Sequence, residues 1–199
     1  MTGQPFHHGN LRAVLLEQAE VMLREGGLDG LSLRELARQA GVSHGAPRSH
    51  FVDRQALLDA LAERGFARLT EEVRVALRGR APLRTRFGRV AQAYVGFAID
   101  DAALMELMFA AKTSERPGPA RDAAEGLFGV LDEAMGPADA DDSAGSRDQF
   151  KLMFGATMQG IAALVASRRI SRPQGEALVD EATDMLLESR LGARAVSRR

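Results

Sequence analysis

The sequence predicts an all-α protein of about nine helices. Three observations carry this. Apolar residues recur at three- and four-residue steps through most of the 199 residues, the period of a helix with one buried face. No segment shows the strict apolar-polar alternation of a half-buried strand. The breaks fall at glycine and proline: Gly26-Gly27, Gly41, Gly79 to Pro82, Pro117-Gly118-Pro119 and Gly136 to Gly145. Apolar residues at 45% and charged residues at 27% are ordinary for a chain that buries a core, which excludes wholesale disorder.

The elements follow in order. Residues 1 to 9, with Gly3, Pro5 and Gly9, read as an arm, and Asn10 as an N-cap. Leu11, Val14, Leu15, Ala19, Met22 and Leu23 form one face of a helix stopped by Gly26-Gly27. Ser32, with Glu35 three residues on, has capping-box spacing and opens a second helix with Leu33, Leu36, Ala37 and Ala40 on its apolar side. Gly41 ends it, where a positive φ is cheapest. Ser43 is a second cap and starts a short helix closed by Phe51, slightly distorted because Pro47 inside it removes one backbone donor. Asp53 caps a long helix running to about Arg78. Helices follow over 83 to 99, from the Asp100-Asp101 cap to 110, and over 120 to 135, 147 to 167 and about 173 to 191. Pro173 suits the first turn of the last one. Residues 136 to 145 read as an acidic surface loop, and the chain divides into domains at 1–70 and 71–199.

Residues 31 to 51 organise the rest. Two short helices joined by a tight glycine turn are a helix-turn-helix, whose second helix enters the major groove of DNA. Charge supports this. Net charge is only −1, but residues 32 to 89 carry twelve arginines against six acids, whereas 100 to 148 carry four bases against twelve acids. Such a split suits one end facing phosphates, although by itself a solvated, arginine-rich surface explains it equally well. Arg48 can bond guanine O6 and N7 bidentately. Ser43, Ser49, His50 and Arg54 can bond phosphates, and Gly45 and Ala46 allow close backbone approach.

The stretch Asn10 to Phe66 closely resembles the N-terminal domain of TetR-type transcriptional regulators. The residues that carry this are Leu33-x-x-Leu36-Ala37-x-x-Ala40-Gly41-Val42-Ser43, His50-Phe51 and Asp53-Arg54-x-Ala56-Leu57-Leu58. The opening Phe6-His7-His8-Gly9-Asn10-Leu11-Arg12 and the pair Ala46-Pro47 are similar to one branch of that family, as are residues 93 to 98 and 104 to 109. Two departures stand out. The branch often has a Trp and a His-Gly in the penultimate long helix, where this chain has Gly155 and Gln159-Gly160. The family usually has an aromatic where Arg48 stands and a base at Ser49.

The resemblance implies an N-terminal three-helix DNA-binding domain and a C-terminal helical domain for ligand binding and dimerisation. It implies a homodimer on a pseudo-palindromic duplex, most often a repressor released by a small molecule. It places the DNA contacts on Ser32, Arg34, Ser43, His44, Ala46, Arg48, Ser49, His50 and Arg54. The C-terminal half offers Tyr94, Phe97, Leu104, Met105, Met108, Phe109, Phe128, Leu131, Phe154 and Met158 as an apolar lining, although plain core packing explains any one of them as well. Ala156, Gly160 and Ala163, with Leu178 and Met185 of the last helix, permit close approach of a second copy, and packing within one subunit explains the small residues nearly as well.

Other classes find little support. There is no Ser/His/Asp set, phosphate-binding glycine loop or metal-ligand spacing, so neither an enzyme nor a cofactor is expected. His7-His8 are adjacent and face different ways, with His44 and His50 too far off to complete a metal site. The chain has no cysteine and no apolar run long enough to span a membrane, which suits a soluble cytoplasmic protein.

Overall fold

The computed structural model describes residues 11–113, 118–136 and 145–196, and among these every regular element is helical. The expected arm with His7 and His8, the Asn10 cap, the centre of the 113–119 loop and the acidic loop over 137–144 lie outside them. The helices are α1 (Leu11–Gly26), α2 (Leu33–Gln39), α3 (Arg54–Leu77), α4 (Leu83–Asp100), α5 (Ala102–Thr113), α6 (Pro119–Met135), α7 (Ser146–Ala166), α8 (Arg172–Glu188) and α9 (Arg190–Ala195), with a 3-10 turn at Pro47–Ser49.

The chain packs into two compact units. One comprises Met1–Gly65 with Ala103–Arg121, the other Phe66–Ala102 with Asp122–Arg199. The seam falls inside α3, so packing does not divide the chain at one point as the sequence division at residue 70 does. Almost all of α5 belongs with the N-terminal unit. The reason is local: at Gly65 a Cβ would stand 2.6 Å from Met108 Sδ and 3.2 Å from Leu104 Cγ. Only a residue without a side chain lets α5 lie so close on α3. The rest of this unit's core is Leu15, Ala19 and Leu23 of α1, Leu36 of α2, Phe51, and Leu57 and Leu61 of α3, all fully buried.

The second unit is built on α4, α7 and α8. Phe87 of α4 meets Phe150 and Phe154 of α7 edge-on, with centroids 5.9 and 5.6 Å away, a favoured aromatic geometry. Gly175 lets α8 approach α7, since a Cβ there would stand 2.5 Å from Val165 Cγ2. Polar links run along the surface: Arg84 with Asp184, Gln92 Nε2 with Asp180 Oδ1 at 2.9 Å, and Arg172 Nη1 with Asp100 Oδ1 at 3.0 Å. The Ser171 hydroxyl and the Gln174 amide cap α8 reciprocally, and Pro173 sits in its first turn as expected.

Asp101 stands directly before α5, where the cap is expected, and both acids form ion pairs: α4 runs through Asp100, whose carboxylate pairs with Arg172, while that of Asp101 pairs with Arg68. One expectation is corrected. The last helix is interrupted at Ser189, which leaves the helical region (φ −62°, ψ 161°) and caps α9 by accepting from Gly192 N at 3.0 Å.

Candidate nucleic-acid interface

The site is built from the entry to α2. Ser32 is extended (φ −141°, ψ 152°) and its hydroxyl accepts from Glu35 N at 3.2 Å, as an N-cap should. The reciprocal half of the expected capping box does not form. The Glu35 carboxylate turns to Arg38, accepting from Nε at 2.9 Å and Nη2 at 2.5 Å, and also accepts from Gln39 at 3.0 Å. These hydrogen bonds hold the carboxyl down at about 2. A bidentate guanidinium outcompetes a single backbone N–H.

The turn after α2 follows from Gly41. It stands at φ +65°, Val42 N donates to Ala37 O at 3.1 Å and Gly41 N to Arg38 O at 3.3 Å. This pair of bonds is a Schellman motif, and the positive φ is what makes glycine the residue of choice. Gln18 of α1 donates to Gln39 of α2 at 3.0 Å and fixes the first helix against the second.

The reading segment differs from expectation. Ser43 was expected to cap an α-helix, but residues 44 to 46 are turns and only Pro47–Ser49 are helical, as a 3-10 turn with Ala46 at its cap. Pro47 is the cause. It has no N–H to give the Ser43 carbonyl, which instead accepts from Ala46 N at 3.0 Å. Phe51 N then closes onto Pro47 O at 2.8 Å. Pro47 and Phe51 are buried and anchor the segment from beneath. Ser43, His44, Gly45, Arg48, Ser49 and His50 are exposed, and Ala46 is half-buried.

Charge is distributed unevenly here. Arg38 is neutralised by Glu35, and Arg64 of α3 lies 2.7 Å from Glu20 Oε1. Arg34 and Arg48 are exposed, and among the described residues no carboxylate pairs with either. Arg54 has a different place from the one expected. Its Nε donates to Leu31 O at 2.8 Å and its Nη2 to Leu28 O at 2.5 Å, so it holds the turn that leads into Ser32. Ser49 donates its hydroxyl to Ala46 O at 2.7 Å, closing the segment on itself. Arg12 was not anticipated: its guanidinium lies over the Phe51 ring, 5.5 Å from the centroid.

The remaining candidates are placed as follows. Leu104, Met105, Met108 and Phe109 fall in the first unit, the other six lining candidates in the second. Met108 and Met158 are fully buried, Phe97, Leu104, Met105, Leu131 and Phe154 nearly so, and Phe109 is exposed. Burial pushes the Tyr94 phenol up, and its hydroxyl donates to Gln159 Oε1 at 3.2 Å. That gives a partner to a residue standing where the family branch has its histidine. The second unit has a polar groove of about 760 Å³ between α4 and α8 and a cleft of about 440 Å³ between α6 and α7. Of the ten lining candidates only Phe128 borders either. Ala156, Gly160, Ala163, Leu178 and Met185 all lie exposed, and Leu152 and Met153 join them at 71% and 51% exposure. Those two were readable from their helical spacing with Ala156, but they scan as core. Among the described residues no group of His, Asp or Glu is arranged to hold a metal, and no helix is long and apolar enough to cross a membrane.

Comparison with known proteins agrees with this geometry. The family model of bacterial regulatory proteins of the tetR family matches residues 15–61, and that of the tetracyclin repressor-like C-terminal domain matches residues 87–189. A solved structure of a protein of unknown function from Rhodococcus sp. RHA1 is 39% identical, over 92% of this chain and 97% of that one, with a TM-score of 0.78. A bacterial regulatory protein of the tetR family from Rhodococcus RHA1 is 15% identical over 96% and 100% of the two chains, with a TM-score of 0.63. The transcriptional regulator FadR from Bacillus subtilis, solved in complex with stearoyl-CoA, is 14% identical over 88% and 97%, with a TM-score of 0.67. No curated protein matches the chain.

Proposed function

The chain belongs to the tetR family of bacterial regulatory proteins, DNA-binding regulators rather than enzymes, and on that premise we propose that it is a homodimeric repressor, released from a pseudo-palindromic operator by a small apolar ligand. The observation that carries the DNA-binding part is the outward face of residues 43 to 50, where Arg48 stands exposed and unneutralised on a segment anchored by Pro47 and Phe51. A guanidinium presented in this way suits guanine in the major groove. Ser32, Arg34, His44 and His50 flank it as phosphate and base contacts. Ser49 is assigned to holding the segment's shape and Arg54 to holding the turn into Ser32, with DNA contact secondary.

Dimerisation through α7 and α8 is supported by the exposed apolar stripe of Leu152, Met153, Leu178 and Met185 around the small residues Ala156, Gly160 and Ala163. The effector reading assigns residues 1–70 to DNA and 71–199 to regulation. It rests on the long acyl ligand that the FadR relative carries.

The test is selection from random duplex DNA. A pseudo-palindrome should be enriched, with affinity falling steeply as salt rises. Arg48→Ala should relax preference at one base pair by about 1–3 kcal/mol. No enriched sequence at any salt would overturn the DNA-binding part. Failure of long-chain acyl thioesters and other lipophiles to release the duplex would overturn the effector part.

A further inference from the structure

We propose that Arg12, in the first turn of α1, is a phosphate-anchoring residue that clamps the DNA backbone beside the end of the reading segment. This rests on the DNA-binding reading above. Arg12 is exposed, and its guanidinium lies 5.5 Å from the centroid of the Phe51 ring. Phe51 itself is 2% exposed and follows directly on the exposed Ser49 and His50. The ring therefore positions a charge from α1 at the edge of the segment that faces DNA.

The chemistry of this contact matters. A guanidinium over an aromatic face is held by the ring's quadrupole, and its N–H donors turned away from the ring stay free to bond a phosphate. A lysine would provide charge without this fixed fork.

The surrounding charges point the same way. In the first unit Arg38 is paired with Glu35, and Arg64 lies against Glu17 and Glu20. Among the described residues no carboxylate pairs with Arg12, Arg34 or Arg48. Arg12, Arg34 and Arg48 thus come from α1, α2 and the reading segment, and Phe51, which closes that segment, holds the first of them beside it. An arginine that served only to cover Phe51 would gain from a neighbouring carboxylate, and none is provided. Arg34 and Arg48 flank the reading segment from α2 and from within, and Arg12 adds a contact from α1.

The experiment measures operator affinity against salt for the full chain and for Arg12→Met, which keeps an apolar stem over Phe51 and removes the charge. The probe is the duplex enriched by the unsubstituted protein. Each lost phosphate contact reduces the slope of log K against log salt by about 0.9, so a dimer should lose about two. Between 50 and 200 mM salt the unsubstituted protein should then lose roughly tenfold more affinity than Arg12→Met. Sequence preference should stay the same, because phosphate contacts carry no base information. Arg12→Lys should recover most of the slope. An unchanged slope with a lowered melting temperature would overturn the proposal and leave Arg12 as a packing residue. If the unsubstituted protein enriches no duplex, it is the DNA-binding reading that fails.

Discussion

Gly65 is where the α5 packing can be tested most sharply. It lies inside α3, where alanine is intrinsically preferred over glycine by about 0.8–1 kcal/mol. An isolated-helix argument therefore predicts that Gly65→Ala stabilises. The packing predicts the opposite. The new Cβ would meet Met108 Sδ at 2.6 Å, Met108 Cγ at 3.0 Å and Leu104 Cγ at 3.2 Å. Ordinary contacts need about 3.5–4.0 Å, so α5 or the Met108 side chain must move by about 1 Å. Met108 is 0% exposed and Leu104 3%, which leaves little room to yield. Overpacking of this kind costs about 1–3 kcal/mol. Set against the helix gain, the net loss is about 0–2 kcal/mol. At roughly 2–4 °C per kcal/mol for a chain of this size, the melting midpoint should fall by up to about 8 °C instead of rising. Gly126→Ala in α6 is the matched control, since nothing lies within 4 Å of its would-be Cβ. It should raise the midpoint by about 2–4 °C. Thermal unfolding followed by circular dichroism reads both. If Gly65→Ala rises with Gly126→Ala, α5 does not rest on α3 as closely as the packing argument requires.

Three further outcomes follow from the structure. The Glu35 carboxyl should titrate at about 2 by carbon NMR and return toward 4.5 in Arg38→Met. Because its folded value is depressed, the pairing should stabilise α2 fully above pH 4.5 and fade as pH falls through about 2; a normal titration in the unsubstituted protein would contradict the pairing. Phe87→Ala should cost about 3–5 kcal/mol in denaturant unfolding, since Phe87 is 1% exposed and meets two rings of α7. A loss under about 1 kcal/mol would mean that the α4–α7 core is not built on these rings. Arg168 stands at φ 58° where α7 ends, with Arg169 N donating to Leu164 O at 3.0 Å, a Schellman position held by a residue with a Cβ. Arg168→Gly should raise stability by about 1 kcal/mol, and a decrease would show that the Arg168 side chain makes contacts that outweigh its backbone cost.

The local devices of this protein are legible in its sequence. Ser32, Gly41, Asp53 and Pro173 each act on backbone groups within a few residues, so their meaning is complete in the local string. The periodic apolar faces locate α1, α3, α4 and α7 for the same reason. The spacing from Leu33 to Phe51 was enough to reveal the helix-turn-helix and its family. Even there, the distortion expected from Pro47 goes further than the string suggests, since a missing N–H in so short a segment leaves a 3-10 turn in place of an α-helix.

What only the tertiary structure decided depends on which distant groups meet. Arg54 reads as a phosphate contact in the sequence, yet Leu28 and Leu31, over twenty residues away, present it with carbonyls. Asp100 and Asp101 read only as a cap, and the fold brings Arg172 and Arg68 beside them as ion-pair partners. The N-terminal unit acquires α5 because Gly65 leaves a notch that Met108 fills. Arg12 becomes a candidate DNA contact only once Phe51 lies under it. Capping and periodicity are short-range and leave a mark in the string; ion pairs, stacking and close helix approach are set by the fold, because any suitable partner in the chain would satisfy them equally well.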